Sequence, residues 1–274
     1  MVLSSFLLLT IENSHGVILP SFASLHASLS SDRTAFSIGH NTDLDCYSWI
    51  EQRPTLEAAF HGFMEVQLAS LPDFLTVFPF DDYVGTSTPE TPVFVDVGGG
   101  TGHQAELVRK KFPYLQGRVI LQDRPDALAK AVIDGSIEKM PYDYLTPQPV
   151  KGARVYYFRQ ILHNNDDETC LRILNAQTGA MDEKSVIVID EKVLLDVKPE
   201  GGAEEYATAL SLCMFAVFKA LERKEGQWRK LLGEAGLEIK EIKKFTEHGD
   251  AVMVAGKKGV AVDDGLCFGS VGSQ

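Results

Sequence analysis

Residues 93–102 read VFVDVGGGTG, and the fold turns on this stretch. Val93, Phe94, Val95, Asp96 and Val97 are β-branched or aromatic apart from one carboxylate, a run that predicts a strand buried in a parallel sheet. Gly98, Gly99, Gly100 and then Thr101-Gly102 follow at once, after which His103-Gln104-Ala105-Glu106-Leu107-Val108-Arg109 resumes with helical character. A strand that runs through a glycine turn into a helix N-terminus is a cradle for a nucleotide-type cofactor. Glycines let the backbone approach such a ligand where a Cβ would collide.

The spacing within the turn discriminates among cofactors. A dinucleotide fingerprint is G-x-G-x-x-G, whereas here Gly98, Gly100 and Gly102 alternate and His103 takes the sixth position. Asp96, inside the strand, would repel a pyrophosphate. It can instead hold the amides of the loop or accept a bond from a cationic or amino-bearing ligand. The pattern D-x-G-x-G-x-G resembles the S-adenosyl-L-methionine site of class I methyltransferases. A nicotinamide dinucleotide site and a glycine turn without a ligand are the competing readings.

A chain of 274 residues allows one large domain, or one domain with a small appendage. Its 45% hydrophobic and 23% charged content is ordinary for a protein with a full core. A net charge of −12 repels a phosphate backbone and argues against nucleic-acid partners. Cys46, Cys170, Cys213 and Cys267 show neither C-x-x-C nor Cys/His spacing. They read as reduced thiols of a cytoplasmic protein, with no disulfide frame and no metal site. Residues 2–11 are apolar but lack a basic flank and a convincing cleavage site. They are too short to span a bilayer, so the expectation is an element packed on the body and no membrane partner.

Residues 1–45 are otherwise rich in serine and without clear period. From Asp45 onward Trp49, Ile50, Leu56, Ala59, Phe60, Phe63, Met64 and Leu68 recur at helical spacing, with Pro54 marking a fresh start. These helices could cover a substrate pocket. Residues 81–92 predict a loop. After the glycine turn, strand and helix alternate as a doubly wound sheet requires. The first helix is expected to end near Phe112-Pro113, and residues 118–122 form the second strand with Asp123 at its end. An acidic residue about twenty positions past such a turn is where a ribose diol is gripped; capping a helix ahead of Arg124-Pro125 is a compatible role. Residues 135–144 contain a third strand and then Asp143-Tyr144, a carboxylate beside a ring that suits an adenine. Residues 153–158 form a fourth strand that delivers Arg159 and His163 to the carboxyl edge, where ligands of open α/β sheets bind. A helix with Leu171, Leu174 and Met181 on one side follows, its N-terminus matched by acidic residues 166–168. Residues 184–190 form the fifth strand with Glu191 at its end. A loop through 199–202 leads to an apolar helix over 206–220 carrying Met214, Phe215 and Phe218. A turn and an amphipathic helix over 221–232 come next, then a closing strand pair over 237–245 and 250–255.

Taken together, VDVGGGTGH, the LQD ending at Asp123, PQPVKGARVYYFRQILH, the IDE ending at Glu191 and ERKEGQWRKLLGEAGL resemble the fungal and plant O-methyltransferases of the caffeate/flavonoid type. The resemblance spans residues 45–257. It implies an α/β fold, a doubly wound, Rossmann-like seven-stranded methyltransferase sheet preceded by a short helical N-terminal segment. The expected organisation is a partly helical segment over 1–90, a catalytic domain over 91–257 and an irregular tail over 258–274. By the same resemblance His163 is the catalytic base, and Glu191 and Glu222 flank and orient it. S-adenosylmethionine would meet Asp96, Gly98, Gly99, Gly100, Gly102, Asp123, Arg124, Asp143, Tyr144 and Arg159, the last standing where a lysine is common. The acceptor, a hydroxyl on a small aromatic or polyketide-type metabolite, would meet Phe60, Met64, Asn164, Met214 and Phe218.

Two departures from the family pattern stand out. The family reads His-Asp-Trp or His-Asn-Trp at the base, where this chain has His163-Asn164-Asn165. Family members also carry a helical, winged-helix-like dimerisation region ahead of the catalytic domain; this chain is expected to begin inside or after it, which bears on whether it forms a homodimer. Alternatives on the same fold are a pericyclase-like enzyme that uses the sulfonium as a fixed charge, and a silent homologue that binds cofactor or a partner. The residue types suit methyl transfer without a metal. A neutral hydroxyl is a poor nucleophile, and an imidazole with a reference pKa of about 6.5 is suited to take its proton near neutral pH. A neighbouring carboxylate orients the ring and stabilises its charged form, and positioning lowers the rest of the barrier.

Overall fold

The computed structural model describes residues 11–69, 72–196, 205–246 and 248–259. Most of the apolar N-terminal stretch, the 199–202 loop and the tail from 260 onward lie outside the described residues. Seven strands form one sheet: β1 (Pro92–Val97), β2 (Arg118–Asp123), β3 (Ile137–Pro141), β4 (Val155–Arg159), β5 (Val186–Lys192), β6 (Leu237–Lys244) and β7 (Asp250–Lys257). Their spatial order is β3-β2-β1-β4-β5-β7-β6. The first five are parallel, and β7 inserts antiparallel between β5 and β6. Helices His103–Lys111, Pro125–Lys130 and Asp167–Thr178 carry three of the four parallel crossovers, and β3 passes to β4 through a loop. The order reverses between β1 and β4, so the carboxyl ends of these two strands bound the crevice where such sheets bind ligands. This is the doubly wound α/β sheet that the sequence implies.

Strand periodicity explains why the central strands read as unbroken apolar runs. In β4, Tyr156 and Phe158 point into one core, shared with Ile187 and Ile189 of β5. Val155 and Tyr157 point into the opposite core, shared with Val186 and Val188. Both faces are therefore covered, and every second residue serves a different layer. The edges differ. β3 exposes Glu138, Lys139 and Pro141, and β6 exposes Glu238, Lys240 and Lys244.

From residue 11 on, the N-terminal segment is largely helical, although residues 1–45 show no clear period in sequence. A π-helical turn at Ser14–Ile18 and helices Leu19–Ala23, Leu25–Ser28 and Ala35–Gly39 precede Cys46–Glu51 and Pro54–Ala69. Thr34 and Asp45 accept from the backbone N–H three residues on, which starts two of these helices. Val17, Phe36, Trp49 and Ile50 pack with Val217 of helix Glu205–Phe218, so this segment is held to the body through that helix. Ion pairs join it to the far side of the site: Glu51 to Arg124, and Glu57 to Lys130. Residues 81–92 are not wholly loop, since helix Phe80–Val84 buries Phe80 and Val84 against Phe94 and its neighbours. Met181, expected on helix Asp167–Thr178, lies beyond its end but is buried in the same core. β7 runs two residues past the expected end, to Lys257. Among the described residues no helix is long and apolar enough to cross a membrane.

Tyr156 anchors the loop that leads into β4. Its buried hydroxyl donates to Val150 O at 2.8 Å and accepts from Ala153 N at 3.1 Å. Tyr156→Phe leaves that N–H and carbonyl without this partner while changing the packing little. The variant is expected to lose about 1–3 kcal/mol in urea unfolding, with the m-value unchanged.

Candidate active site

The glycine turn is tied to the neighbouring strand before any ligand is considered. Gly98 N and Gly99 N both donate to Gln122 O, at 2.8 and 3.2 Å. A Cβ on Gly99 would lie 2.4 Å from Asp96 Cγ, so only glycine lets the loop fold down over that carboxylate. At Gly100 the demand is different: φ is +59°, and nothing lies within 4 Å of where a Cβ would stand. The backbone there is open towards the crevice. Asp96 beneath it is 1% exposed, and its Oδ2 has no partner. Burial, with the charge of Asp123 adding to it, pushes its pKa up to about 7 against the pull of the Ala105 N–H and Arg159.

Asp123 ends β2 and holds the loop with both oxygens. Oδ2 accepts from Gly100 N and Oδ1 from Arg124 N, each at 2.7 Å. Burial raises its pKa despite these bonds. The Arg124 side chain turns away, to Glu51 and to Asp126 at 3.4 Å, so it joins the helical cover to the site's rim. Asp143 is exposed and caps its own turn, Oδ1 accepting from Leu145 N at 2.9 Å. Tyr144 is half-buried within electrostatic reach of Asp123, Asp143 and Arg124, and burial raises its phenol's pKa. Arg159 ends β4 opposite Asp190 of β5. Its Nε lies 3.5 Å from Asp190 Oδ2, which also accepts from the Tyr157 hydroxyl at 2.5 Å.

The chain leaves β4 through Gln160, a non-glycine residue with φ +52°, and enters a 3₁₀ turn at Leu162–Asn164. Positive φ in a residue with a Cβ is uncommon and costs free energy, and such residues gather where a site demands a particular aim. The turn holds His163, 8% exposed, with Nδ1 2.8 Å from Glu222 Oε1. Burial by itself would lower the imidazole's pKa. The hydrogen bond and charge of Glu222, joined by the charge of Glu191, outweigh it and hold the pKa above 6.5, while Arg223 pulls the other way. Glu222 is placed from behind by Ser211 Oγ, which accepts from its backbone N at 3.2 Å.

Glu191 does not hydrogen-bond the ring. Its Oε1 accepts from Ile161 N and Leu162 N at 3.0 and 2.6 Å, capping the turn beneath His163. Burial, with the charge of Glu222, pushes its pKa up to about 7. Asn164 and Asn165, the second standing where the family pattern has tryptophan, act as staples. Asn164 Nδ2 donates to Gln160 O at 2.9 Å and to the Tyr47 hydroxyl at 3.0 Å, and Asn165 Nδ2 donates to Ile161 O at 2.7 Å. The Tyr47 ring stacks on Phe218 at 5.6 Å and meets Phe60 edge-on at 6.0 Å. Phe60 and Met64, and likewise Met214 and Phe218, are spaced four apart on their helices and half-buried. Tyr47 thus gathers Phe60, Phe218 and Asn164 into one wall beside His163.

Sequence reasoning missed Tyr47, Gln160 and Arg223. Arg223 lay within the ERKEGQW run, read there only as a turn into a helix, and Tyr47 carried no spacing signal. The donor set that results is an open glycine backbone, two carboxylates at strand ends and a half-buried phenol. It fits a ligand that presents hydroxyls, an aromatic base and a positive charge.

Comparison with known proteins places this geometry in a lineage. The O-methyltransferase domain family matches residues 36–238. The O-methyltransferase lepI of Aspergillus flavus is 40% identical over 218 residues, covering 78% of this chain and 55% of the relative. The 16-O-methyltransferase bsc6 of Alternaria brassicicola is 36% identical over 229 residues, covering 82% and 56%. The chain therefore spans little more than half the length of these relatives. A structure of LepI in complex with SAM superposes with a TM-score of 0.81 at 34% identity, over 93% of this chain and 68% of that one. A structure of OxaC with SAH and oxaline, at 22% identity and a TM-score of 0.77, covers 90% of this chain and 65% of that one and shows the shared fold. With a family match over most of its length and relatives well above chance identity, the chain belongs to the O-methyltransferase domain family.

Proposed function

We propose that this chain forms the catalytic part of an S-adenosylmethionine-dependent O-methyltransferase of fungal secondary metabolism. Its acceptor is a hydroxyl on a small aromatic or polyketide-type molecule, and His163 is the general base. The observation that carries the reading is the buried His163–Glu222 pair. With Nδ1 committed to a carboxylate, the neutral ring holds its hydrogen on Nδ1 and leaves the Nε2 lone pair as the proton acceptor. Nε2 takes the acceptor's hydroxyl proton, and Glu222 stabilises the imidazolium that results. Glu191 fixes the turn from below and adds negative charge near the ring.

The glycine turn, Asp96, Asp123 and Tyr144 would hold the donor, and the unpartnered Oδ2 of Asp96 is an acceptor awaiting a donor group. When bound, S-adenosylmethionine supplies a methyl group already activated on a sulfonium. Arg124, Asp143 and Arg159 serve this side indirectly: Arg124 latches the cover, Asp143 shapes the turn that presents Tyr144, and Arg159 neutralises Asp190. Phe60, Met64, Asn164, Met214 and Phe218 form the acceptor's wall, with Tyr47 at its centre.

A second reading has one observation behind it: a structural neighbour at 34% identity and a TM-score of 0.80 is described as a pericyclic reaction enzyme. Transfer of label from methyl-labelled donor to a panel of phenolic acceptors separates the two. Turnover of a polyene substrate without label transfer would favour the second.

His163→Ala is expected to retain donor binding by calorimetry and to lose about 10²-fold or more in turnover; equal turnover would remove His163 from the mechanism. Because a base works only when neutral, and the His163 pKa is held above 6.5, wild-type kcat should fall as pH drops through that raised value. Glu222→Gln removes the charge that raises it and should move this limb to lower pH, with a lower plateau. Asp96 gives the opposite linkage. Its folded pKa is raised from 3.8 to about 7, so the folded state binds the proton more tightly and stability is lost as pH rises between those values. Asp96→Asn keeps an acceptor for the Ala105 N–H. In thermal melts without donor it should lose less stability than wild type between about pH 5 and about pH 8, while calorimetry shows weaker donor binding.

A further inference from the structure

We propose that Arg223 is a positioning residue: its guanidinium fixes the turn that carries His163 against the segment that carries Glu222, and so sets the contact on which proton removal depends. The proposal rests on His163 being the general base. Glu222 and Arg223 are consecutive. The first reaches the imidazole, and the second reaches the backbone on both sides of it. Arg223 Nη1 donates to Leu162 O at 2.9 Å and Nη2 to Asn165 O at 2.8 Å, carbonyls that bracket His163.

The same side chain is anchored at its rear. Nε donates to Asp167 Oδ1 at 2.9 Å at the start of helix Asp167–Thr178, and Nη2 lies 3.4 Å from Cys170 Sγ. The guanidinium stands 5.2 Å from the centre of the Trp228 ring, which is itself fully buried. The Arg223 side chain is 4% exposed. Its backbone is held as well, since Leu194 N donates to Arg223 O at 3.0 Å and Glu225 N donates to Leu194 O at 3.1 Å. One planar fork thus ties the His163 turn and the helix after it to the position of Glu222, and the Arg223 backbone carbonyl adds the extension of β5. A lysine, with a single point donor, cannot bridge two carbonyls and a carboxylate in this way.

The charge matters alongside the geometry. The groups facing His163 are Glu191 from β5, and Glu222 and Arg223 from the segment before helix Glu225–Glu234; Cys170 and Asp167 of helix Asp167–Thr178 adjoin Arg223. Arg223 is the cation among them, so it limits how far the two glutamates raise the imidazole's proton affinity.

The test uses the full chain with Arg223→Lys and Arg223→Met. The imidazole Cε1–H of His163 is followed by NMR through a pH titration, assigned by its disappearance in His163→Gln. Turnover and donor affinity are measured in parallel. In Arg223→Met the titration midpoint should move to higher pH, and kcat should fall on the order of 10²-fold while calorimetric donor affinity stays as in wild type. Arg223→Lys keeps the charge, so its midpoint should stay near wild type while kcat falls by roughly 10-fold from the lost clamp. If the methionine variant does not fold, the lysine variant decides. Wild-type kcat and midpoints in both variants would overturn the proposal, as would parallel losses of donor affinity and kcat with an unmoved midpoint. The NMR arm needs no turnover, so a wild-type chain that fails to methylate would count against the base, and the titration would still report on the clamp.

Discussion

Four carboxylates held out of water govern the architecture of this site. Asp96, Asp190, Glu191 and Glu222 are all at most 4% exposed, and they gather at the carboxyl ends of β1, β4 and β5. A buried carboxylate without partners costs several kcal/mol or titrates to its neutral form. The surrounding chain reads as a set of answers to that cost. Asp190 takes the Tyr157 hydroxyl and the Arg159 cation, Glu191 takes two backbone N–H groups, and Glu222 takes the imidazole. The answers are incomplete, since one oxygen each of Asp96, Glu191 and Glu222 stays unpartnered. Groups of this kind concentrate where a protein meets a ligand or moves a proton.

Two sides of the crevice are built to different tolerances. On the His163 side nearly every backbone polar group of the turn is engaged, from the strained Gln160 through Leu162 to Asn165, and the imidazole has little freedom to wander. Preorganisation of this kind is where a proton-transfer step gains most. Beside it stands an aromatic wall drawn from three helices, half-buried and held by ring contacts. Under the proposed function, acceptor choice would lie with Phe60, Met64, Met214 and Phe218.

Much of this was legible in the order of residues. The strand, glycine turn and helix at 93–109 announce themselves because burial on both faces demands an apolar run and close approach demands glycine. The central strands share that signature. The helices ahead of residue 40 left no trace, because elements of four or five residues complete fewer than two turns and show no 3.6-residue period. The site was legible only in part. His163 and Glu191 surfaced at the ends of expected strands, their roles and Glu222 through resemblance, and the division of labour between the two glutamates required the structure. Tyr47 meets Asn164 across 117 positions and Arg223 meets Leu162 across 61, and contacts at such separation have no local pattern.

The charged rims of the sheet bear on strand-to-strand aggregation. Its interior strands, VFVDV, VYYFR and VIVID, are the kind of sequence that seeds fibres when left uncovered. A foreign strand could dock only along β3 or β6. Along β6 it would meet the Lys243–Glu241 pair and the exposed Glu238 and Lys244; along β3 it would meet Glu138, Lys139 and a proline that offers no N–H. Either approach strips water from ions and gains few backbone bonds in return, so the aggregation-prone centre stays quarantined behind two inhospitable borders.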